Sequence, residues 1–397
     1  MAGDRSNDDA QCVGAALDAA CEFDRILDRR QTGSVKWDRY EGRDVLPMWV
    51  ADMDFRAPQV VIDALRRHVE QGVFGYTHPS ADLVDAVRQT LAREYRWDIH
   101  PEWIVWLPGL VAGLNVACKA VGKAHDEVLT AVPVYPPFLS APGHAARRIV
   151  TVPLARREGA WAFDIERLAC AVTPNTRLFA LCNPHNPVGR VYTRGELAAI
   201  GELCERHNLI VCADEVHCQL ILDEGKVHVP FATIDPALAS RTITLMAPSK
   251  TFNIPGLGCA FAVISDAALR SAFQAAADGI VPHVNALGYT AANAAYRHGH
   301  PWHQALLRYL RGNRAVVAEM LADMPGLEVS PIEATYLAWI DARGTGTENP
   351  VALFERFGVG LSDGAPFGSP GFVRLNFGCP RSRLIEGLTR MRRALGL

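Results

Sequence analysis

Seven short apolar segments, each followed by a longer stretch of helix-like pattern, limit this chain's fold more than any other feature: Ile104–Leu107, Glu127–Ala131, Arg148–Val152, Leu178–Leu181, Leu209–Ala213, Thr242–Met246 and Ala260–Ser265. Apolar runs this short, bounded by turn residues, are the mark of strands buried on both faces. Strands of that kind alternating with helices predict an α/β protein built on a mostly parallel seven-stranded sheet covered on each side.

Past about residue 298 the pattern changes. A long helical stretch, Trp302–Ala322, precedes short strands around Leu327–Val329, Thr335–Asp341 and Gly371–Asn376, and a helix from Arg381 closes the chain. This predicts a smaller α+β domain. The expected division is residues 1–57 as an N-terminal arm and part of the small domain, 58–297 as the large domain and 298–397 as the small C-terminal domain. Residues 1 to about 20 have weak periodicity and are expected to fray, with a short helix over Ala15–Ala20. Gly/Pro clusters at Val132–Pro137, Asn183–Gly189 and Ser362–Gly371 fall at strand ends, where open α/β sheets bind ligands.

A net charge of −3 over 397 residues leaves no basic field for a nucleic acid or an anionic membrane. The expected partner is a small molecule. The N-terminal segment lacks a signal-peptide core, and no later stretch approaches about 18 uninterrupted apolar residues, so the expected location is cytoplasmic. The ten cysteines have no metal or redox spacing and are expected to be reduced and mostly buried. His298, His300 and His303 lie close together, but no neighbouring carboxylate or thiolate completes a ligand set; they are expected to sit at a helix junction, and no metal is assigned.

Three segments carry chemistry. In Met246-Ala-Pro-Ser-Lys250-Thr-Phe-Asn-Ile-Pro-Gly256 a single lysine stands among small and apolar residues after a buried strand. Desolvation lowers a lysine's pKa and makes it a natural Schiff-base nucleophile, although a solvated loop lysine is the ordinary alternative. In Val211-Cys-Ala-Asp214-Glu-Val-His217 a carboxylate ends an apolar run and needs a partner. A protonated pyridine nitrogen would serve, and so would a helix cap or an ion pair. In Leu181-Cys-Asn183-Pro-His-Asn186-Pro-Val-Gly189 amide side chains could donate to an oxyanion, or the segment is a bare turn.

The conjunction of the three, in this order, resembles the fold-type I pyridoxal 5′-phosphate (PLP) enzymes of the aspartate aminotransferase superfamily. A closer resemblance, from about Phe23 to Leu397, is to the MalY/PatB branch of cystathionine β-lyase-like C–S lyases. It rests on Ser34-Val-Lys-Trp-Asp38, Leu46-Pro-Met-Trp-Val-Ala-Asp-Met-Asp-Phe55, Phe74-Gly-Tyr-Thr77, Val132-Pro-Val-Tyr-Pro-Pro-Phe138, Ala294-Ala-Tyr-Arg-His-Gly299 and Leu361-Ser-Asp-Gly364. The resemblance implies an aspartate-aminotransferase-like fold in which Lys250 is the Schiff-base lysine, Asp214 partners the pyridine nitrogen, Asn186 and His217 lie near the 3-oxygen, and Tyr135 stacks on the ring. It places the phosphate on the backbone of Gly109, Leu110 and Val111 where a helix begins, with the Ser249 hydroxyl and with Tyr76 from a second subunit, hence a homodimer with shared active sites. Arg374 would grip the substrate's α-carboxylate, with Asn186, Trp49 and Ala51 on the substrate side.

The implied activity is α,β-elimination from an S-substituted L-cysteine to thiol, pyruvate and ammonia. Lys250 would act as the base at Cα, and Tyr135 would either stack or protonate the departing sulfur. Rival readings are an aminotransferase, a tailoring enzyme for a bulky S-conjugated cysteine and a non-catalytic PLP-binding regulator. Three substitutions depart from the pattern: Gly258 stands where many such enzymes have a phosphate-binding arginine, Gln219 where related lyases have an acid, and Ala334 where they have glycine. With Ala286, the last two suggest a reshaped pocket. The loops around Trp49, Tyr135 and Phe367 are expected to face the substrate.

Overall fold

The computed structural model describes residues 22–157 and 159–397. The expected helix over Ala15–Ala20 lies outside them. Seven strands form the main sheet: β1 (Ile104–Leu107), β2 (Glu127–Val132), β3 (Arg148–Pro153), β4 (Thr176–Cys182), β5 (Ile210–Asp214), β6 (Thr242–Met246) and β7 (Ala260–Val263), ordered β1-β7-β6-β5-β4-β2-β3. The α/β architecture and all seven strands follow the sequence expectation, with ends displaced by one or two residues.

Alternation along each strand divides the core in two. Leu129, Phe179, Leu181, Val211 and Ala213 pack on one face of the sheet, while Val128, Leu178, Ala180, Cys212, Ile243 and Leu245 pack on the other. That is the period of two expected where helices cover both faces. Strands β2 to β6 are mutually parallel, whereas β7 is antiparallel to both β6 and β1. Two reversals bring β1 back to the common direction, so the carboxyl ends of β1, β2, β4, β5 and β6 share one edge. The register Cys182↔Asp214↔Leu245 aligns three of those ends.

A second sheet of four antiparallel strands runs Glu328–Val329, Leu337–Asp341, Phe372–Asn376, Ser362–Asp363. It packs with helices His300–Ala322 and Arg381–Ala394 around Leu306, Leu310, Leu337, Leu375 and Leu388. Leu46–Pro47 pairs in parallel with Val359–Gly360, which carries the N-terminal segment to this part of the molecule. Seven of the eight described cysteines are buried, Cys170 being exposed, and none is in a disulfide. Among the described residues no helix is long and apolar enough to cross a membrane.

Candidate active site

The loops that leave the common edge of the sheet meet the segment around Trp49 and the strand Phe372–Asn376 at a cavity of about 400 Å³. Trp49, Ala51, Gly109, Leu110, Val111, Tyr135, Asn186, Asp214, His217, Ser249, Lys250 and Arg374 all line it. Tyr76 does not. It is fully exposed, in a separate groove with Phe74 and Ala286.

Asp214 ends β5 and is buried; its Oδ1 accepts from the Val216 N–H at 3.1 Å, and among the described residues it forms no ion pair. Burial raises its pKa to about 6. The next residue, Glu215, points the other way, accepting from the Phe231 N–H at 2.8 Å and meeting His228 Nε2 at 2.8 Å. Strand alternation thus sends one acid to the cavity and satisfies the other in the interior.

Lys250 Nζ donates to the Ala51 carbonyl at 2.6 Å. Burial, then the charge of Arg374, brings its pKa down to about 8, against the opposing pull of Asp52 and Asp214. His217 is buried with an unpartnered Nδ1, and burial, then Lys250 and Arg374, hold its pKa down to about 3, so the ring is neutral. Burial raises the pKa of Tyr135 above its ordinary value.

Arg374 is 4% exposed. It donates to Asn186 Oδ1 (3.0 Å), the Trp49 carbonyl (2.9 Å) and Ser362 Oγ (3.3 Å), lies 4.8 Å over the Phe367 ring and leaves Nε unpartnered. All three acceptors are neutral, and burial lowers its pKa to about 10. Among the described residues this buried guanidinium has no counter-ion, a costly arrangement that suits it to receive an anion.

At another part of the wall, helix Leu110–Ala120 starts at Gly109 with no side-chain cap, so its first N–H groups are free for an anion, and Ser249 lies on the same cavity. Gly258 also lines it, at φ +58°, where a Cβ would come within 3.2 Å of the Pro108 carbonyl oxygen.

Several expectations need correction. Gln219, Ala286 and Ala334 do not line the cavity. The Gln219 carbonyl accepts from His303 Nε2 at 2.7 Å, Ala334 N donates to the Gly189 carbonyl at 3.0 Å, and Ala286 begins the helix Ala286–His298 beside the groove of Tyr76. For Gln219, two residues after His217, the intervening turn directs the backbone to His303 and away from the cavity. Phe367 is buried beneath Arg374 and does not line the cavity. Conversely, Val50, Cys182, Val216 and Cys259 line the cavity without having been singled out; small apolar residues in loops or at a strand end leave no sequence signal. His298 ends one helix and His300 starts the next, with Gly299 between.

The sequence profile described as aminotransferase class I and II matches residues 43–391. Among curated proteins, cystathionine β-lyase PatB of Bacillus subtilis is 38% identical over 385 residues, covering 94% of this chain and 99% of that protein. Among solved structures, OvoB superposes with a TM-score of 0.92 at 47% identity, covering 94% of this chain and 98% of that one. The PLP-bound C–S lyase from Staphylococcus hominis gives 0.88 at 32%, covering 94% and 97%.

The cavity fits PLP on its own chemistry. It holds a buried carboxylate with no ion pair among the described residues, for a pyridinium; an unpartnered imidazole nitrogen and an amide on the same cavity, for the phenolic oxygen; free helix N-terminal N–H groups, for a phosphate; and a lysine of lowered pKa, for the aldehyde.

Proposed function

This chain belongs to the aminotransferase class I and II family, and on that premise we propose that it is a PLP-dependent carbon–sulfur β-lyase cleaving an S-substituted L-cysteine to thiol, pyruvate and ammonia. The observation that carries the reading is one cavity in which neither Asp214 nor Arg374 forms an ion pair among the described residues, with Lys250 on the same wall. Linked to Lys250, PLP supplies the electron sink that makes a substrate Cα–H acidic.

The chain's own residues do the rest. Asp214 holds the ring nitrogen protonated. Asn186 and His217 would hold the phenolic oxygen, and since His217 stays neutral it can donate from one nitrogen and accept at the other. Gly109, Leu110, Val111 and Ser249 hold the phosphate. Arg374 grips the substrate carboxylate, oriented by Asn186, Trp49 and Ser362. The freed Lys250 amine, with a pKa of about 8, is close enough to neutral pH to take the Cα proton as a base and release it afterwards. Tyr135, on the cavity wall, stacks on the ring or protonates the leaving sulfur.

The same reading makes the protein a cytoplasmic homodimer in which Tyr76 of a second copy completes the phosphate site; its full exposure in the single chain supports that assignment. Lys250→Ala tests the mechanism. The variant should bind PLP without a covalent link and release thiol at least about a thousandfold more slowly. Undiminished thiol release with normal PLP binding would overturn the assignment.

A further inference from the structure

One stretch of backbone touches both ionisable side chains on which the proposed elimination depends. The Trp49 carbonyl accepts from Arg374 Nη2 at 2.9 Å, and the Ala51 carbonyl, two residues on, accepts from Lys250 Nζ at 2.6 Å. Residues Trp49–Asp52 lie outside every helix and strand, so no ladder fixes them.

Buried side chains fix them from two directions. Asn376, 1% exposed, donates from Nδ2 to the Val50 carbonyl (2.5 Å) and the Asp52 carbonyl (2.6 Å), while its Oδ1 is held by the Gly378 N–H at 2.8 Å. It follows Arg374 by two residues on the strand Phe372–Asn376, so both project from one face. From the N-terminal segment Lys36, also 1% exposed, donates to the same Asp52 carbonyl (3.2 Å) and to Asp54 Oδ2 (3.0 Å). Asp54 is tied in turn to Trp37 Nε1 and Arg29 Nη1, each at 2.8 Å. Beyond the strap, Asn253 on the Lys250 loop accepts from the Met53 N–H at 2.9 Å and donates to the Met53 and Phe55 carbonyls, each at 2.8 Å.

A buried ion pair such as Lys36–Asp54 is a poor source of stability, because desolvating two charges offsets most of their attraction. Its position suits a geometric use better. We infer that Trp49–Asp52 is a strap that sets Arg374 and Lys250 relative to one another, with Asn376 and Lys36 as its positioning residues. Neither lines the cavity; both act through the carbonyls of the strap.

The activity arm of the test rests on the lyase reading, but a second arm does not. In the cofactor-free protein, the pH dependence of Lys250 acylation by trace acetic anhydride reports its basicity directly. Asp52, Tyr135, Asp214, His217, Tyr336 and Arg374 are the titratable and charged groups around Lys250; Asn376→Ala leaves all of them in place, whereas Lys36→Met also removes the ammonium 3.6 Å from Asp52 Oδ1. Loss of the carbonyl positioned to receive the ammonium should move the inflection below the wild-type value of about 8 in Asn376→Ala, the variant that changes no charge. In the loaded enzyme, kcat and KM per bound PLP should worsen together, with kcat/KM lower by roughly 10- to 100-fold, as sub-ångström misplacement of reacting groups causes.

A lower melting temperature with unchanged kinetics per bound PLP in both variants, and an unmoved or raised inflection in Asn376→Ala, would make both residues merely structural and overturn the inference. Lys36→Met, which leaves Asp54 with Arg29 and Trp37, decides the matter if Asn376→Ala folds poorly. If the wild type eliminates nothing, the lyase reading falls, while the acylation profiles still decide the role of the strap.

Discussion

Arg374→Met replaces a buried guanidinium by an unbranched apolar side chain of similar reach. In the free protein that guanidinium donates to three neutral oxygens and faces no anion. A charge-assisted hydrogen bond contributes ~1.5–3 kcal/mol, and two of them from a planar fork to a substrate carboxylate contribute ~3–6 kcal/mol. At ~1.4 kcal/mol per tenfold, kcat/KM for an S-substituted cysteine should fall by ~10²- to 10⁴-fold. The carboxylate is not altered by the elimination, so the loss should fall first on KM. Stability should behave differently. Removing an uncompensated buried charge is favourable, while the carbonyls of Trp49 and Asn186 lose a donor, so the two effects oppose and the melting temperature should stay close to that of the wild type. Pyruvate formation coupled to lactate dehydrogenase, with a thermal melt of the same preparation, reads both. A kcat/KM loss under about tenfold, or a collapse in melting temperature that accounts for it, would refute the carboxylate grip.

Three further outcomes follow from the same geometry. Only the neutral amine of Lys250 attacks an aldehyde, so the rate of PLP capture by the cofactor-free protein should rise with pH and level off above about 8; stopped-flow absorbance at several pH values checks this, and a flat profile would contradict it. The pKa of Asp214 is raised from 3.8 to about 6 on folding, so its contribution to the stability of the cofactor-free protein is present below the unfolded value and lost as pH rises through about 6. Asp214→Asn should therefore stabilise that protein by up to roughly 3 kcal/mol above pH 6, make no difference near pH 4, and weaken PLP binding, as calorimetry and cofactor titration would show. Gly258→Ala places a Cβ 3.2 Å from the Pro108 carbonyl at a positive φ, costing ~1–3 kcal/mol at the proposed phosphate cradle; equilibrium dialysis should find faster loss of PLP, and unchanged retention would argue against the cradle.

Much of this was legible in the sequence, for physical reasons that differ from part to part. The seven strands were readable because burial on both faces demands unbroken apolar runs, as in Thr242–Met246, where every residue is buried. Asp214 and Lys250 were readable because a charge at the end of such a run is expensive without a use. Arg374 could be placed only through the motif around it, since one arginine in a strand says little alone. Asn376, Lys36 and Ser362 had no comparable signal. Asn376 and Ser362 meet backbone carbonyls hundreds of positions away, and Lys36 meets a carbonyl and a carboxylate 16 and 18 positions on, so only the folded chain brings Asn376 to Val50, Ser362 to Trp49 or Lys36 to Asp54. Gln219, Ala286 and Ala334 erred the other way: departures from the related lyases' pattern suggested a reshaped pocket, but their surroundings in space are a helix, an exposed groove and a buried bridge to Ile221.

The central claim is most directly tested by mixing the purified, PLP-loaded protein with L-cystathionine and a panel of S-substituted L-cysteines, assaying pyruvate and free thiol, with and without α-ketoglutarate, while following the cofactor's absorbance. The account predicts pyruvate and thiol in equal amounts without the keto acid, for at least one member of the panel. A cofactor that stalls in its pyridoxamine form until α-ketoglutarate is added, with no thiol released, would make the protein an aminotransferase and contradict it.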